Sequence, residues 1–267
     1  MTTSEFSGRQ FSSRHVLVTG AGSGIGAAIA RSFAAAGARV SLAGRRSAPL
    51  EDVARTLPDG ASLVLADFDV TKAEAITRGL TAAREKFGPV DILINNAGDA
   101  PSAPFDRIDE AMWAHTIGVD LTGVFLVTQA ALPDLRKKGA GARIINIAST
   151  AGLKGYAYVV AYCAAKHGVI GMTRALALEL ARTGVTVNAI CPGFTDTPLV
   201  QRSVNAIVAK TGRTADEARK ELAKTNPQGR LIDPQEVADA ALWLASAAAH
   251  SITGQALPIA GGEVMAG

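Results

Sequence analysis

What this chain of 267 residues lacks narrows the field first. It has two cysteines, Cys163 and Cys191, far apart and in no metal-ligating spacing, which argues against a disulfide framework and leaves free thiols as the expectation. Its four histidines, His15, His115, His167 and His250, share no spacing that suits one metal ion. Charged residues make up only 19% of the chain, at a formal net charge of +3, and they are scattered, so nucleic acid finds no basic run to bind. No uninterrupted apolar run is long enough to cross a bilayer. The opening stretch MTTSEFSGRQFSSR has no apolar core of the kind a signal peptide carries. No repeat, low-complexity linker or domain boundary stands out. The expectation is a soluble, cytoplasmic protein with neither membrane nor nucleic acid as partner.

What is present is a rhythm. Apolar runs at 15–20, 38–44, 61–68, 90–98, 142–149, 184–193 and 256–260 read as strands. Between them, 24–37, 49–57, 72–88, 106–137, 157–182, 199–224 and 234–247 read as helices. The strands are apolar on both faces, as a parallel sheet covered by helices on each side requires. This predicts one α/β domain over 14–267 behind a flexible tail at 1–13. Residues 195–226 fall outside the rhythm and are rich in Thr, Arg and Lys. Placed after the sixth strand, they would overhang the sheet edge where ligands bind, as a substrate lid.

The first strand runs into TGAGSGIG (19–26) and then a helix. Gly20, Gly22, Gly24 and Gly26 let the backbone turn tightly and approach a pyrophosphate, with Ser23 and Ile25 in the same loop. The N–H groups at the helix start would face that anion. The second strand ends in AGRR, with Gly44 where an acid for a free ribose 2′-OH would stand. Arg45 and Arg46 follow, and two guanidiniums suit a 2′-phosphate in charge and shape. NADP(H) is favoured as cofactor, with NAD(H) as the alternative.

TGAGSGIG, NNAG (95–98), INIASTAG (145–152), YCAAK (162–166) and CPGFTDT (191–197) occur in the order and spacing of the short-chain dehydrogenase/reductase family. The chain resembles that family from about residue 14 to 262, and looks most like its reductases of 3-oxoacyl thioesters and polyketide carbonyls. The resemblance implies a Rossmann-type doubly wound parallel sheet of about seven strands. It also implies a catalytic set of Ser149, Tyr162 and Lys166. Tyr162 would protonate the alkoxide formed in ketone reduction and take the proton back in alcohol oxidation. A free phenol, with its pKa of about 10, is a poor base at neutral pH, so Lys166, one helical turn away, is expected to pull that value down. Ser149 would donate to the developing oxyanion. Tyr156 and Tyr158, with no lysine four residues on, are expected as pocket wall.

The same resemblance places Asp69 and Val70 at the adenine, and Asn96, Ala97 and Gly98 behind the ribose. Pro192, Gly193, Thr195 and Thr197 would border the nicotinamide amide and the phosphates. It implies a homotetramer paired through the helices at 106–137 and 157–182. Two departures stand out. Asp120 occupies a position where relatives carry asparagine, and an ionised carboxylate there would offset part of the Lys166 pull on Tyr162. IAGG (259–262) lacks the acid that many relatives have before these glycines, a change expected to affect only the carboxyl-terminal turn. The substrate is expected to be a 3-oxoacyl thioester, or else a small or cyclic secondary alcohol. A catalytically silent nucleotide-binding scaffold would be free to lose Ser149, Tyr162 or Lys166, and a methyltransferase would want an acid after the second strand. Neither matches these residues.

Overall fold

Along each central strand, alternate side chains feed opposite layers, and this alternation builds the molecule. The structure, a computed structural model, describes residues 10–265. Seven strands pair in parallel: β1 (His15–Thr19), β2 (Arg39–Ala43), β3 (Ser62–Leu65), β4 (Ile92–Asn95), β5 (Arg143–Ile147), β6 (Thr186–Pro192) and β7 (Ala256–Ile259). Their order across the sheet is β3-β2-β1-β4-β5-β6-β7. Val16, Val18, Ile92, Ile94, Ile145 and Ile147 point into one core, against helices α1 (Gly24–Ala35) and α9 (Pro234–Ala245). Leu17, Leu93 and Ile144 point into the other, against α3 (Ala73–Phe87), α5 (Gly123–Lys138) and α6 (Val160–Leu180). A short α2 (Ser47–Ala54) packs Leu50 and Val53 into the first core. Both faces are dry, which is why the strands read as continuous apolar runs.

The order reverses direction between β1 and β4, so the loops after their carboxyl ends diverge and open a crevice. Every parallel strand delivers its carboxyl end to that edge, and the glycine loop, Ser149 and the loop after β6 all follow from it.

Several expectations need correction. The tail at 1–13 does not end at 13: Phe11 is buried edge-on against Phe33, with ring centroids 5.0 Å apart, so the domain starts earlier. The rest of that expected tail, residues 1–9, lies outside the described residues. The stretch at 199–224 is two helices, α7 (Pro198–Thr211) and α8 (Ala215–Ala223). Gly212, at φ +69°, ends the first, and Thr214 with Glu217 forms a capping box that starts the second. The helix expected from 106 begins at α4 (Glu110–Ile117), capped by Asp109, and a π-helical turn (Gly118–Thr122) joins it to α5. That continuous stretch, Glu110–Lys138, is long and apolar enough to span a membrane by length and composition, although no uninterrupted apolar run is. Its inward side chains, Val127, Ala131 and Leu135, instead pack on the sheet.

Candidate active site

Ser149 stands two residues beyond β5 and caps a short 3-10 turn (Thr150–Gly152), its Oγ accepting the Ala151 N–H at 3.1 Å. That bond uses the oxygen and leaves the hydroxyl proton free to donate. Tyr162 and Lys166 lie in the first two turns of α6, on one face. The Lys166 side chain turns back under the sheet edge. Its Nζ donates to the Ile147 carbonyl at 3.1 Å and lies 5.4 Å from the centre of the Tyr162 ring.

The π-helical turn brings in the fourth group. Its extra residue per turn aims Asp120 inward, where the carboxylate is fully buried and Oδ1 is 3.3 Å from Lys166 Nζ. Oδ2 accepts the Asp99 N–H at 3.2 Å. Gly98 leaves the room: a Cβ there would come within 2.6 Å of Asp120 Oδ1.

These charges correct the electrostatic expectation. Burial of the phenol raises the Tyr162 pKa above its ordinary value. Lys166 and Ser149 pull it down, but Asp120 adds to the rise and the net direction is up. Burial also disfavours the Lys166 cation, yet Asp120 and Tyr162 together hold its pKa above the ordinary lysine value. Asp120 itself is pushed up by burial, against the pull of Lys166.

One cavity of about 740 Å3 joins this group to the glycine loop. Gly20, Gly22, Ser23, Gly24 and Ile25 line one end with Arg45, Arg46, Asp69 and Val70. Asn96, Ala97 and Gly98 form the floor, and Pro192, Gly193, Thr195 and Thr197 close the side nearest α7. Of the expected loop residues, Gly26 does not line the cavity. A Cβ there would collide with Asn96 Nδ2 and the Gly20 carbonyl, so its role is to let Asn96 bridge the loop to β1.

The residues present fit a dinucleotide. Helix α1 has no acidic side chain in its first turn, and its capping residue, Ser23, makes no side-chain cap bond, so its amino-terminal N–H groups suit a phosphate. Arg45 and Arg46 are exposed at the cavity rim with no acid between Gly44 and Ser47. Asp69 is nearby but engaged. Burial works against its charge, yet hydrogen bonds from the Thr71 N–H and hydroxyl, with Lys72 and Arg45, hold its carboxyl below the usual range.

Tyr156 lines the cavity as expected, but Tyr158 does not: it is exposed, at φ +70°. The motifs gave no notice of several other residues. Buried Asn95 donates to Asn146 and Thr128, and Asn146 to Thr173, stitching β4 and β5 to the helices behind them. Arg202 on α7 pairs with Asp99 at 2.8 Å across the cavity mouth. Glu263, just after the glycines expected to matter only for a turn, bonds Tyr156 in the cavity wall.

Comparison with known proteins agrees with this geometry. The profile of the family described as short chain dehydrogenase matches residues 14–208. A D-beta-hydroxybutyrate dehydrogenase of Cupriavidus necator is 41% identical over 251 residues, covering 93% of this chain and 96% of the relative. A cis-4-hydroxycyclohexanecarboxylate dehydrogenase of Sinomonas cyclohexanicum is 42% identical over 257 residues, covering 96% and 98%. Among solved structures, a variant of actinorhodin polyketide ketoreductase with NADPH superposes at a TM-score of 0.88, with 36% identity over 96% of this chain and 98% of that one.

Proposed function

The chain belongs to the short-chain dehydrogenase family and interconverts a ketone with a secondary alcohol; within that activity we propose an NADP(H)-dependent reductase of a 3-oxoacyl thioester. The observation that carries the reading is the single cavity that holds the glycine loop and the arginine pair at one end and Ser149, Tyr162 and Lys166 at the other. A catalytically silent scaffold has no use for that convergence. The likeness to a ketoreductase with NADPH supports the cofactor and the carbonyl class. A second reading, a dehydrogenase of a cyclic secondary alcohol, is favoured by the relative from Sinomonas cyclohexanicum.

When bound, the nicotinamide cofactor would supply the hydride that a ketone's carbonyl carbon takes up in reduction. Ser149, its hydroxyl proton free, donates to the carbonyl oxygen and holds it where charge develops. Tyr162, kept protonated at neutral pH by burial, gives its proton to the forming alkoxide. Lys166, held as a cation, stabilises the phenolate left behind. Helices α7 and α8 serve as the substrate lid, with the Arg202–Asp99 pair fastening α7 over the mouth. The working form is a cytoplasmic homotetramer. The exposed Trp113 on α4, Phe125 on α5 and Leu178 on α6 support a paired apolar face.

The test follows absorbance at the reduced-nicotinamide band with NADPH and NADH against 3-oxoacyl thioesters and simple ketones. Turnover with NADPH and a 3-oxoacyl thioester is expected. No oxidation of either cofactor with any carbonyl would end the reading, and a clear preference for NADH would end the cofactor assignment.

A further inference from the structure

After β7 the chain carries a charge that the reaction does not account for. The Glu263 side chain is only 1% exposed. Its Oε1 accepts from the Tyr156 hydroxyl at 2.5 Å and pairs with Lys154 Nζ at 3.1 Å. Its Oε2 lies against Gly193, where a Cβ would come within 3.0 Å of it. Tyr156 and Gly193 both line the cavity; Glu263 stands directly behind them.

The Tyr156 hydroxyl has one proton. At 2.5 Å from a carboxylate it donates there, so the 2.7 Å contact with Thr150 Oγ1 is donated by the threonine. Both capacities are used inside the wall, and a substrate meets ring carbons. Burial, then Glu263, holds this phenol far above its ordinary range, so it stays a neutral hydroxyl, without the acid–base part played by Tyr162. The ring stands edge-on to Phe194, with centroids 6.2 Å apart and planes at 89°, and Phe194 lines the cavity too. Thr150 follows Ser149 directly, so the wall is tied to the turn that positions the carbonyl oxygen.

The charges around the catalytic end point the same way. Of the basic side chains lining it, Lys166 is paired with Asp120 and Arg202 with Asp99, and the His115 ring lies 3.8 Å from Asp99 as well. A carboxylate placed beside the reacting carbonyl would be desolvated where each lysine and arginine already has a carboxylate partner, as Lys154 behind the wall has in Glu263. Burying a charge so placed is costly.

We propose that Glu263 is a positioning residue that sets the substrate class. It locks Tyr156 and Phe194 as an apolar wall and holds Lys154, whose Nζ lies 5.0 Å from the Tyr156 ring centre, in an ion pair behind them. The pocket therefore accepts 3-oxoacyl compounds whose acyl end is neutral, a thioester or ester, and rejects the matching free 3-oxo acid. This rests on the oxidoreductase reading above and narrows it.

The experiment compares acetoacetate with its N-acetylcysteamine thioester, at saturating NADPH, in the parent and in Glu263→Gln, Glu263→Ala and Tyr156→Phe. The parent should favour the thioester. Glu263→Gln keeps an acceptor for Tyr156 and leaves the Lys154 cation without its counter-charge, and should raise the acid-to-thioester ratio of kcat/KM by about tenfold, the size of one modest charge interaction. Glu263→Ala and Tyr156→Phe should raise the thioester KM by about tenfold, one hydrogen bond's worth, with kcat moving less. Should the alanine variant fail to fold, the other two carry the test. A parent that prefers acetoacetate, or a Gln variant with the parent's ratio, overturns the role of Glu263 alone. A parent that binds NADPH yet reduces neither compound overturns the oxidoreductase reading, and this inference with it.

Discussion

Replacing Asp120 by asparagine removes one buried charge and almost no volume. Asp120 Oδ1 is 3.3 Å from Lys166 Nζ, and Nζ is 5.4 Å from the Tyr162 ring centre, so the carboxylate lies within about 9 Å of the ring. With an effective dielectric of about 20, a negative charge at that distance destabilises the phenolate by about 2 kcal/mol. That is a factor of roughly ten to thirty in the phenolate fraction wherever the phenol is mostly protonated. Alcohol oxidation needs the phenolate, so on the acid limb of its pH–rate profile Asp120→Asn should be about tenfold faster than the parent. The limb should shift to lower pH. Reduction at neutral pH, which uses the protonated form, should change far less.

The assay is steady-state oxidation of a secondary alcohol across pH, with the deuterated alcohol showing that hydride transfer limits the rate. A melting curve is needed as a control. An amide oxygen can accept from Lys166 or from the Asp99 N–H, but not from both at their present positions, at a cost of about 1 kcal/mol. Superimposable profiles would refute the reasoning. So would a shift to higher pH, since that would mean Asp120 acts chiefly by keeping Lys166 charged.

Other expectations follow from the same geometry. Tyr162→Phe keeps the ring and removes the proton donor, so kcat should fall by at least about a hundredfold while melting temperature and NADPH binding hold; intact turnover would discard the mechanism. Exchanging Arg45 and Arg46 together for alanine should raise the KM for NADPH by about tenfold or more and leave that for NADH nearly unchanged, read from initial rates. Gly26→Ala drives a methyl into Asn96 and the Gly20 carbonyl and should destabilise by about 1–3 kcal/mol in urea melts, with weakened NADPH binding. Gly155→Ala, with open space around it, is the matched control. His15 is buried, with Nδ1 at 2.7 Å from the Gly88 carbonyl and Nε2 at 2.9 Å from Ser41 Oγ, and burial holds its pKa below the ordinary value against Gly88 and Asp91. Its stabilisation is complete above an unfolded pKa of about 6.5 and fades as pH falls below that. The penalty of His15→Gln should therefore be smaller at pH 5 than at pH 7.5.

The sheet was legible because both its faces are buried. Each strand then shows as an apolar run such as HVLVT, and the glycine turns between strands and helices mark where each ends. Where local chemistry decided, the periodicity misled. A glycine at φ +69° and a capping box split 199–224 in two, although its apolar spacing reads as one helix. Phe11 is a lone aromatic in a polar stretch, and its packing edge-on against Phe33 of α1, which local spacing does not reveal, makes it core. The π-helical turn at 118–122 leaves no trace in apolar spacing, yet it is what turns Asp120 inward.

At the site, identity was legible and sign was not. Ser149, Tyr162 and Lys166 lie within 18 positions of sequence on one strand end and one helix, so their meeting follows from local geometry. The protonation behaviour of Tyr162 depends instead on how dry the phenol is and on Asp120, which arrives from a different helix. Read as a pair, a phenol beside an ammonium must be more acidic than usual. Read as a triad, the ammonium already faces a carboxylate at 3.3 Å, which offsets part of its pull on the ring. Burial is then left as the dominant influence, and it favours the neutral phenol. Asp120 adds to the rise that burial begins and is the one residue of the set that departs from the asparagine the family resemblance leads one to expect, which is why exchanging it tests the electrostatics of the site more sharply than deleting the phenol.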